Sequence, residues 1–455
     1  MAQQVIHRTQ RCLRTVTAAT LATSFTLSVA ASGSAGAPVG GARPSCYGKV
    51  ATIVGTEGDD FIKGTARSDV IVGRGGKDRI DGGEGNDIIC GGSGGGRYKT
   101  GDLVAQQELR GGPGNDVIIG GPDKDLILDR AGVDLLIGRG GSDYLAEYDK
   151  RVDPQSDVLR GGAGQDTLTS FRGADQLQGG AGNDVLSDRW GDNIHRGGSG
   201  NDLFETGVGD DALFGGSGTD TSLYVTVMEG RTQILANCSP VTADLSIGHA
   251  SGSGFGVDTL EGVENIASGG GQDVLIGDDR SNTFYPGTLT ACPGATRQQE
   301  TVAGGAGSDR ISFDSARWDP NQALGPVVVD LATGTAVQRS SDADVEVRLT
   351  LDSVENVDGT YFADSIAGDD GPNRIDGGPP QGDGDTIYGR DGDDYLFGSG
   401  TRDIIYGDAG ADTLHGRAGN DRLDGGPGPN SINGGPGKDY CQNPDSFNGA
   451  LDCEA

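Results

Sequence analysis

The sequence predicts an all-β chain wound into a parallel coil, a β-solenoid with two short strands and two turns per revolution. Three observations carry this. A nine-residue pattern, G-G-x-G-x-D-x-U-x with U a large apolar residue, recurs between Gly55 and Gln442. Its eighth position is aliphatic or Phe in nearly every copy. And the 455 residues include 84 Gly while only 5% are aromatic, which is too little bulk for a deep globular core.

Each part of the nonapeptide has a physical task. Gly82-Gly-Glu-Gly-Asn-Asp-Ile-Ile-Cys90 and Gly179-Gly-Ala-Gly-Asn-Asp-Val-Leu-Ser187 are clear copies. The glycines permit positive φ, so backbone carbonyls can turn inward. The aspartate supplies a hard carboxylate oxygen, the ligand that Ca²⁺ prefers. The last three residues form a strand with one inward side chain. Two units make an 18-residue coil, so alternate turns stack along one edge at the interstrand spacing of about 4.8 Å. Position 8 should fill the core. It reads Ile62, Ile71, Ile80, Ile89, Ile118, Ile127, Leu136, Leu145, Leu168, Leu177, Leu186, Phe204 and Leu213, then Leu275, Phe284, Ile311, Ile366, Ile375, Leu396, Ile405, Leu414, Leu423 and Ile432. His195 and Ser222 break the rule.

Along the chain, residues 1–37 read as a secretory signal peptide. Arg8, Arg11 and Arg14 precede an apolar run from Val16 to Ala31 and small residues through Ala37. Residues 38–54 form an N-terminal cap. Residues 55–223 carry a first block of repeats, interrupted at 97–110 and 147–160. Within 161–223, full turns at 161, 179, 197 and 215 alternate with degenerate ones carrying Asp175, Asn193 and Asp211, so one edge there should bind cations better than the other. Residues 224–358 hold two related segments, Val241-Thr-Ala-Asp-Leu245 leading to Val263-Glu-Asn-Ile266, and Val328-Val-Asp-Leu331 leading to Val354-Glu-Asn-Val357. Both read as strand pairs continuing the coil. Repeats resume over 359–442, and 443–455 is a C-terminal cap.

The formal net charge is −32. Such acidity repels nucleic acid and anionic membranes and favours cations or basic partners. No stretch after the signal is long and apolar enough for a transmembrane helix. The product is expected to be secreted. Of seven cysteines, Cys12 lies in the signal; six remain, an even number suited to disulfides in an exported chain. Proximity along the repeats favours Cys46–Cys90, Cys238–Cys292 and Cys441–Cys453, although six cysteines allow other pairings.

The chain resembles the secreted hemolysin-type (RTX-like) calcium-binding repeat family over nearly all of its length after the signal. That resemblance implies a parallel β-roll in which turn carbonyls and position-6 aspartates bind several Ca²⁺ ions. Carried over, the ligands are Asp60, Asp69, Asp78, Asp87, Asp116, Asp125, Asp134, Asp143, Asp166, Asp184, Asp202, Asp220, Asp273, Asp309, Asp364, Asp394, Asp403, Asp412, Asp421 and Asp439. Gly96, Asn193 and Asn430 depart from Asp at that position. The N-terminal signal and the cysteines at the C-terminal end are similar to the actinobacterial-type branch.

Calcium should matter for folding. One buried aliphatic side chain does not repay the ordering of nine residues, and stacked aspartates repel one another. A cation between stacked turns offsets both, so its binding becomes part of the folding free energy. No HExxH or G-x-S-x-G motif is present, and the three histidines after the signal (His195, His249, His415) do not cluster. His195 reads as a core irregularity, and Trp190 and Trp318 as isolated rings. The expectation is a non-catalytic calcium-binding scaffold, with a cell-surface or matrix polymer as a possible partner. The alternative is an exoenzyme or toxin-like effector whose activity resides in the non-repeat segments.

Overall fold

The last three residues of each nonapeptide form a strand because only the middle one can face inward at a two-residue period. Thr167–Thr169, Val185–Ser187 and Leu203–Glu205 show it: the central Leu168, Leu186 and Phe204 are fully buried and their neighbours are not. In the computed structural model the described residues are 43–93, 107–147, 155–224, 239–286, 297–314, 325–339, 346–379, 384–442 and 453. The expected signal peptide, Cys238, Cys292, Gly96 and Trp318 lie outside them. No helix occurs among the described residues.

Strands pair in parallel with the strand one coil away, which gives two facing sheets. In one, Leu159, Leu177, His195 and Leu213 are successive partners. In the other, Leu168, Leu186, Phe204 and Ser222 are. The sheets enclose a single column of side chains. Every position-8 residue predicted above lies in it, with Ile62, near the start of the roll, the most exposed at 9%.

The roll is more continuous than the repeat pattern. Gln107–Arg110 pairs with Arg79–Asp81 and Asp125–Asp129, and places Leu109 in the core. Val158–Ala163 pairs with Leu135–Gly140 and places Leu159 there. The roll therefore resumes before the repeat spelling does, and the breaks set at 97–110 and 147–160 are too wide.

The two related segments are not strand pairs but three-stranded antiparallel inserts. Val241–Asp244, His249–Gly252 and Gly256–Glu261 form one, and Val327–Asp330, Thr335–Arg339 and Glu346–Asp352 the other. The odd number has a simple cause. A chain that reverses once leaves at the wrong end of the sheet, and a third strand restores the direction needed to enter the opposite sheet. Each insert adds two strands to the first sheet without counterparts in the second, where Thr221–Tyr224 pairs directly with Asn265–Ser268.

At the N-terminal end, Ser45–Cys46 and Lys49–Val50 form a tight hairpin, and Ile53–Val54 starts the first sheet. Cys46 is bonded to Cys90, and Cys441 to Cys453, each with Cα atoms 5.8 Å apart.

Candidate calcium-binding turns

Position 6 is where turn becomes strand, and there the aspartates form two ladders, one along each edge. On the first, the Asp166 N–H donates to Asp184 Oδ1 (2.8 Å), Asp184 to Asp202 (2.9 Å) and Asp202 to Asp220 (2.8 Å). On the second, the Asp385 N–H donates to Asp403 (2.7 Å), Asp403 to Asp421 and Asp421 to Asp439 (both 2.9 Å). One carboxylate oxygen thus holds the backbone of the preceding coil.

The other oxygen divides the predicted ligands into groups. Oδ2 of Asp78, Asp87, Asp116, Asp143, Asp166, Asp184, Asp202, Asp220, Asp273, Asp309, Asp394, Asp412, Asp421 and Asp439 is buried and has no hydrogen-bond partner among the described residues. In Asp60, Asp69, Asp364 and Asp403 that oxygen is already capped from position 2 of the same turn. Thr56 caps Asp60 with its N–H (2.6 Å) and hydroxyl (3.0 Å), Thr65 does so for Asp69 (both 2.8 Å), and Thr360 for Asp364 (2.6 and 3.0 Å). The Ser399 N–H does the same for Asp403 at 2.8 Å. Asp125 Oδ2 takes the Gly121 N–H at 2.6 Å. Asp134 lies beside Asp129 instead.

Buried orphan carboxylate oxygens are costly unless something pairs with them. The glycines shape what that can be. A Cβ built at Gly407 would lie 2.5 Å from Asp412 Oδ2 and 2.8 Å from the carbonyl oxygen of Gly425, one coil on. At Gly197 the same convergence involves Asp202 Oδ2 and the Gly215 carbonyl (2.7 Å). The missing side chain leaves a space that carboxylate and carbonyl oxygens face together, a hard, all-oxygen donor set that suits Ca²⁺. The next glycines fix the turn itself. Gly180 and Gly182 have φ of 117° and 135°, and a Cβ on Gly182 would collide with the Gly164 carbonyl. Where position 2 is not glycine, the left-handed residue can have its own anchor: Arg417 (φ 69°) grips Asp376 with two hydrogen bonds of 2.9 and 2.7 Å.

Burial dominates the electrostatics. It pushes the carboxyl of Asp166 up to about 6, Asp184 to about 7 and Asp143 to about 8, and the backbone N–H each accepts only partly opposes it. Neighbouring ladder aspartates raise Asp184 and Asp143 further. At these three positions burial favours the protonated carboxyl, and a divalent cation would oppose it.

The ladders contain residues that the nonapeptide spelling missed. Asp157 accepts the Asp134 N–H (2.7 Å), Asp258 that of Asp211 (2.9 Å) and Asp385 that of Asp364 (2.8 Å). Glu264 and Glu355, the acids of the two Val-Glu-Asn triplets, accept from Asp220 (2.9 Å) and Asp309 (2.8 Å). The degenerate edge keeps the ladder as well: Asn193 accepts the Asp175 N–H at 2.8 Å. His195 is fully buried beside Asp188 at 3.4 Å, and burial lowers its pKa to about 3, so it packs as a neutral ring against Phe204. Trp190 stacks under the Arg172 guanidinium at 4.9 Å.

The model of the RTX calcium-binding nonapeptide repeat matches residues 52–66, 63–97, 110–145, 153–186, 189–221, 358–379, 381–414 and 415–441, together just over half of the chain. The chain belongs to this family. No curated protein matches it. As RTX repeats, the turns described above are calcium-binding elements, and the fold is their parallel β-roll. A Ca²⁺ ion there would supply positive charge. The Oδ2 atoms of the position-6 aspartates that lack a hydrogen-bond partner among the described residues, with the inward carbonyls, would hold it, while Oδ1 keeps adjacent coils in register.

Proposed function

We propose that this RTX protein is secreted and non-catalytic, that its roll folds on meeting calcium outside the cell, and that it serves as a matrix, surface or adhesion scaffold. One observation carries the reading. The position-6 carboxylates that the fold buries line the two edges of the roll, from Asp69 to Asp439, each holding a backbone N–H or facing a cation position. Acids used in this way build the fold rather than act on a substrate. Export is supported by the basic, apolar and small-residue order of residues 1–37 and by the two disulfides at the ends of the roll. The repeated units offer extended, nearly identical surface, which suits a scaffold.

The test is a calcium titration of the secreted protein followed by circular dichroism and light scattering, beside an activity screen on polysaccharides, lipids and peptides. Folding with calcium and no turnover supports the scaffold. Clear turnover of any substrate class replaces it with the exoenzyme alternative.

A further inference from the structure

One edge of the roll departs from its own rule in a regular way. Along the ladder through Asp116, Asp134, Asp157, Asp175 and Asn193, the first position of the turn is acidic at three coils: Asp129, Glu147 and Asp188. In most other turns glycine at that position leaves the space between turns open, although Ser170 and Thr206 stand there on this edge; at these three coils an acid stands there instead. A Cβ built on Gly111 would lie 2.6 Å from Asp129 Oδ1 and 2.7 Å from Oδ2, which places the Asp129 carboxylate in the gap of the coil before it.

The result at two levels is a trio of buried acids. Ligand oxygens of Asp116, Asp129 and Asp134 lie within 4.8 Å of one another, as do those of Glu147, Asp157 and Asp175. Asp129 is 1% exposed and Glu147 6%. Asp129 Oδ1 accepts the N–H groups of Gly112 (2.9 Å) and Arg130 (2.8 Å), and Glu147 Oε2 that of Phe171 (3.1 Å). The remaining oxygens, Asp129 Oδ2 and Glu147 Oε1, are buried without a hydrogen-bond partner among the described residues, and both acids belong to the trios.

The third level shows what happens when no ion is needed. Asp188 faces Asn193 instead of an aspartate; the Asn193 amide donates to Asp188 Oδ2 at 2.8 Å, the Gly207 N–H to Oδ1 at 3.2 Å, and His195 lies at 3.4 Å. The protein's own amide sits where the other two levels have a third carboxylate.

We propose that Asp116, Asp129 and Asp134, and likewise Glu147, Asp157 and Asp175, each hold one hard divalent cation, Ca²⁺ foremost, in sites that join two ladder aspartates to a position-1 acid absent from the ordinary repeat turns. The inference rests on the calcium reading of the family and adds two positions and a ligand type to it. Three carboxylates around one ion outnumber those of an ordinary turn, and affinity for Ca²⁺ rises with ligand charge. These two sites fill first, ahead of the turns.

The experiment measures ions bound per full-length chain in calcium-buffered solutions for wild type, Asp129→Gly, Glu147→Gly and Asp188→Gly. Asp129→Asn is added as a variant that keeps the side-chain volume and the Oδ1 acceptor. Glycine is what most other turns carry at this position, so the substitutions fit the fold, which circular dichroism in saturating calcium verifies. Wild type should show two ions at free calcium about tenfold below the midpoint of the rest. Asp129→Gly, Asp129→Asn and Glu147→Gly should each lose one of the two, and Asp188→Gly none. Unchanged curves for the first three overturn the proposal while leaving the turn sites standing, since the trios then hold shared protons. Loss of a tight ion from Asp188→Gly also overturns it, because an internally paired acid should bind none. A wild type that binds no calcium at any concentration overturns this proposal and the calcium reading together.

Discussion

Each ladder aspartate is assigned two tasks, and Asp202 separates them. Its Oδ1 accepts the Asp184 N–H at 2.9 Å, while its Oδ2 is buried and faces the Gly197 gap. Asp202→Asn keeps an acceptor, as the natural Asn193 and Asn430 do for Asp175 (2.8 Å) and Asp412 (2.9 Å). It removes the anionic ligand. Asp202→Ala removes both and leaves a buried N–H unsatisfied, at about 1–3 kcal/mol. The calcium-linked part follows mass action: about 0.4 kcal/mol at a free concentration equal to Kd and about 2.7 kcal/mol at a hundred times Kd. The gap between wild type and Asp202→Asn should therefore widen with calcium. The gap between Asn and Ala should stay near 1–3 kcal/mol throughout. Hydrogen exchange of peptides spanning 176–205 reads this locally, and the full calcium-linked loss corresponds to roughly 100-fold faster exchange. If Asn and Ala variants exchange alike, Oδ1 is not holding the coils. If the Asn variant follows wild type as calcium rises, Oδ2 is not a ligand.

Other consequences are equally direct. Burial raises the folded-state pKa of Asp166 to about 6, Asp184 to about 7 and Asp143 to about 8, against an ordinary value of 3.8. Raised carboxyl pKa values favour the fold below the unfolded value and oppose it as pH climbs through the folded ones. The calcium-free roll should thus show most β-structure near pH 4 and lose it between pH 6 and 8, whereas calcium uptake at pH 6 should release protons; a calcium-free chain most ordered at pH 8 contradicts this. Gly182→Ala, whose Cβ meets the Gly164 carbonyl at φ 135°, should cost more than about 1 kcal/mol in urea unfolding with calcium. Gly58→Ala, whose nearest neighbour is the Thr56 hydroxyl at 3.8 Å, should be close to neutral, and equal effects would count against the close-stacking argument. Non-reducing peptide mapping should link Cys46 to Cys90 and Cys441 to Cys453; a free thiol at any of the four refutes the pinned ends.

Much of this was legible in the residues because a nine-residue period is a one-dimensional signal. Position 8 marks the core wherever units are contiguous, and position 6 marks the ladder. What the period hides is stacking across insertions. Asp157 follows Asp134 by 23 residues in the ladder, Asp116 follows Asp87 by 29, and Asp258 follows Asp211 by 47. Counting in nines finds Asp116 but loses Asp157 and Asp258, although Asp157-Val-Leu-Arg-Gly-Gly and Asp175-Gln-Leu-Gln-Gly-Gly share a spelling that could have found the first of these. Glu264 and Glu355 escaped because a longer acid does an aspartate's task, and the repeated Val-Glu-Asn triplet was their signal. Asp129 and Asp188 open turns whose first residue carries no separate signal in the repeat pattern, and Glu147 falls in the interruption at 147–160. Only stacking shows that an acid at that position points into the gap of the neighbouring coil.

The central claim is that calcium completes the fold by pairing with buried carboxylate oxygens that have no hydrogen-bond partner among the described residues. Far-UV circular dichroism of the disulfide-intact protein at pH 7.5, first in chelator and then with calcium restored, tests it most directly. The account predicts a largely unfolded spectrum that converts to β-structure as calcium is added, reversibly and in the same concentration range as ion uptake. A β-spectrum already complete in chelator, and unchanged by calcium, would contradict it.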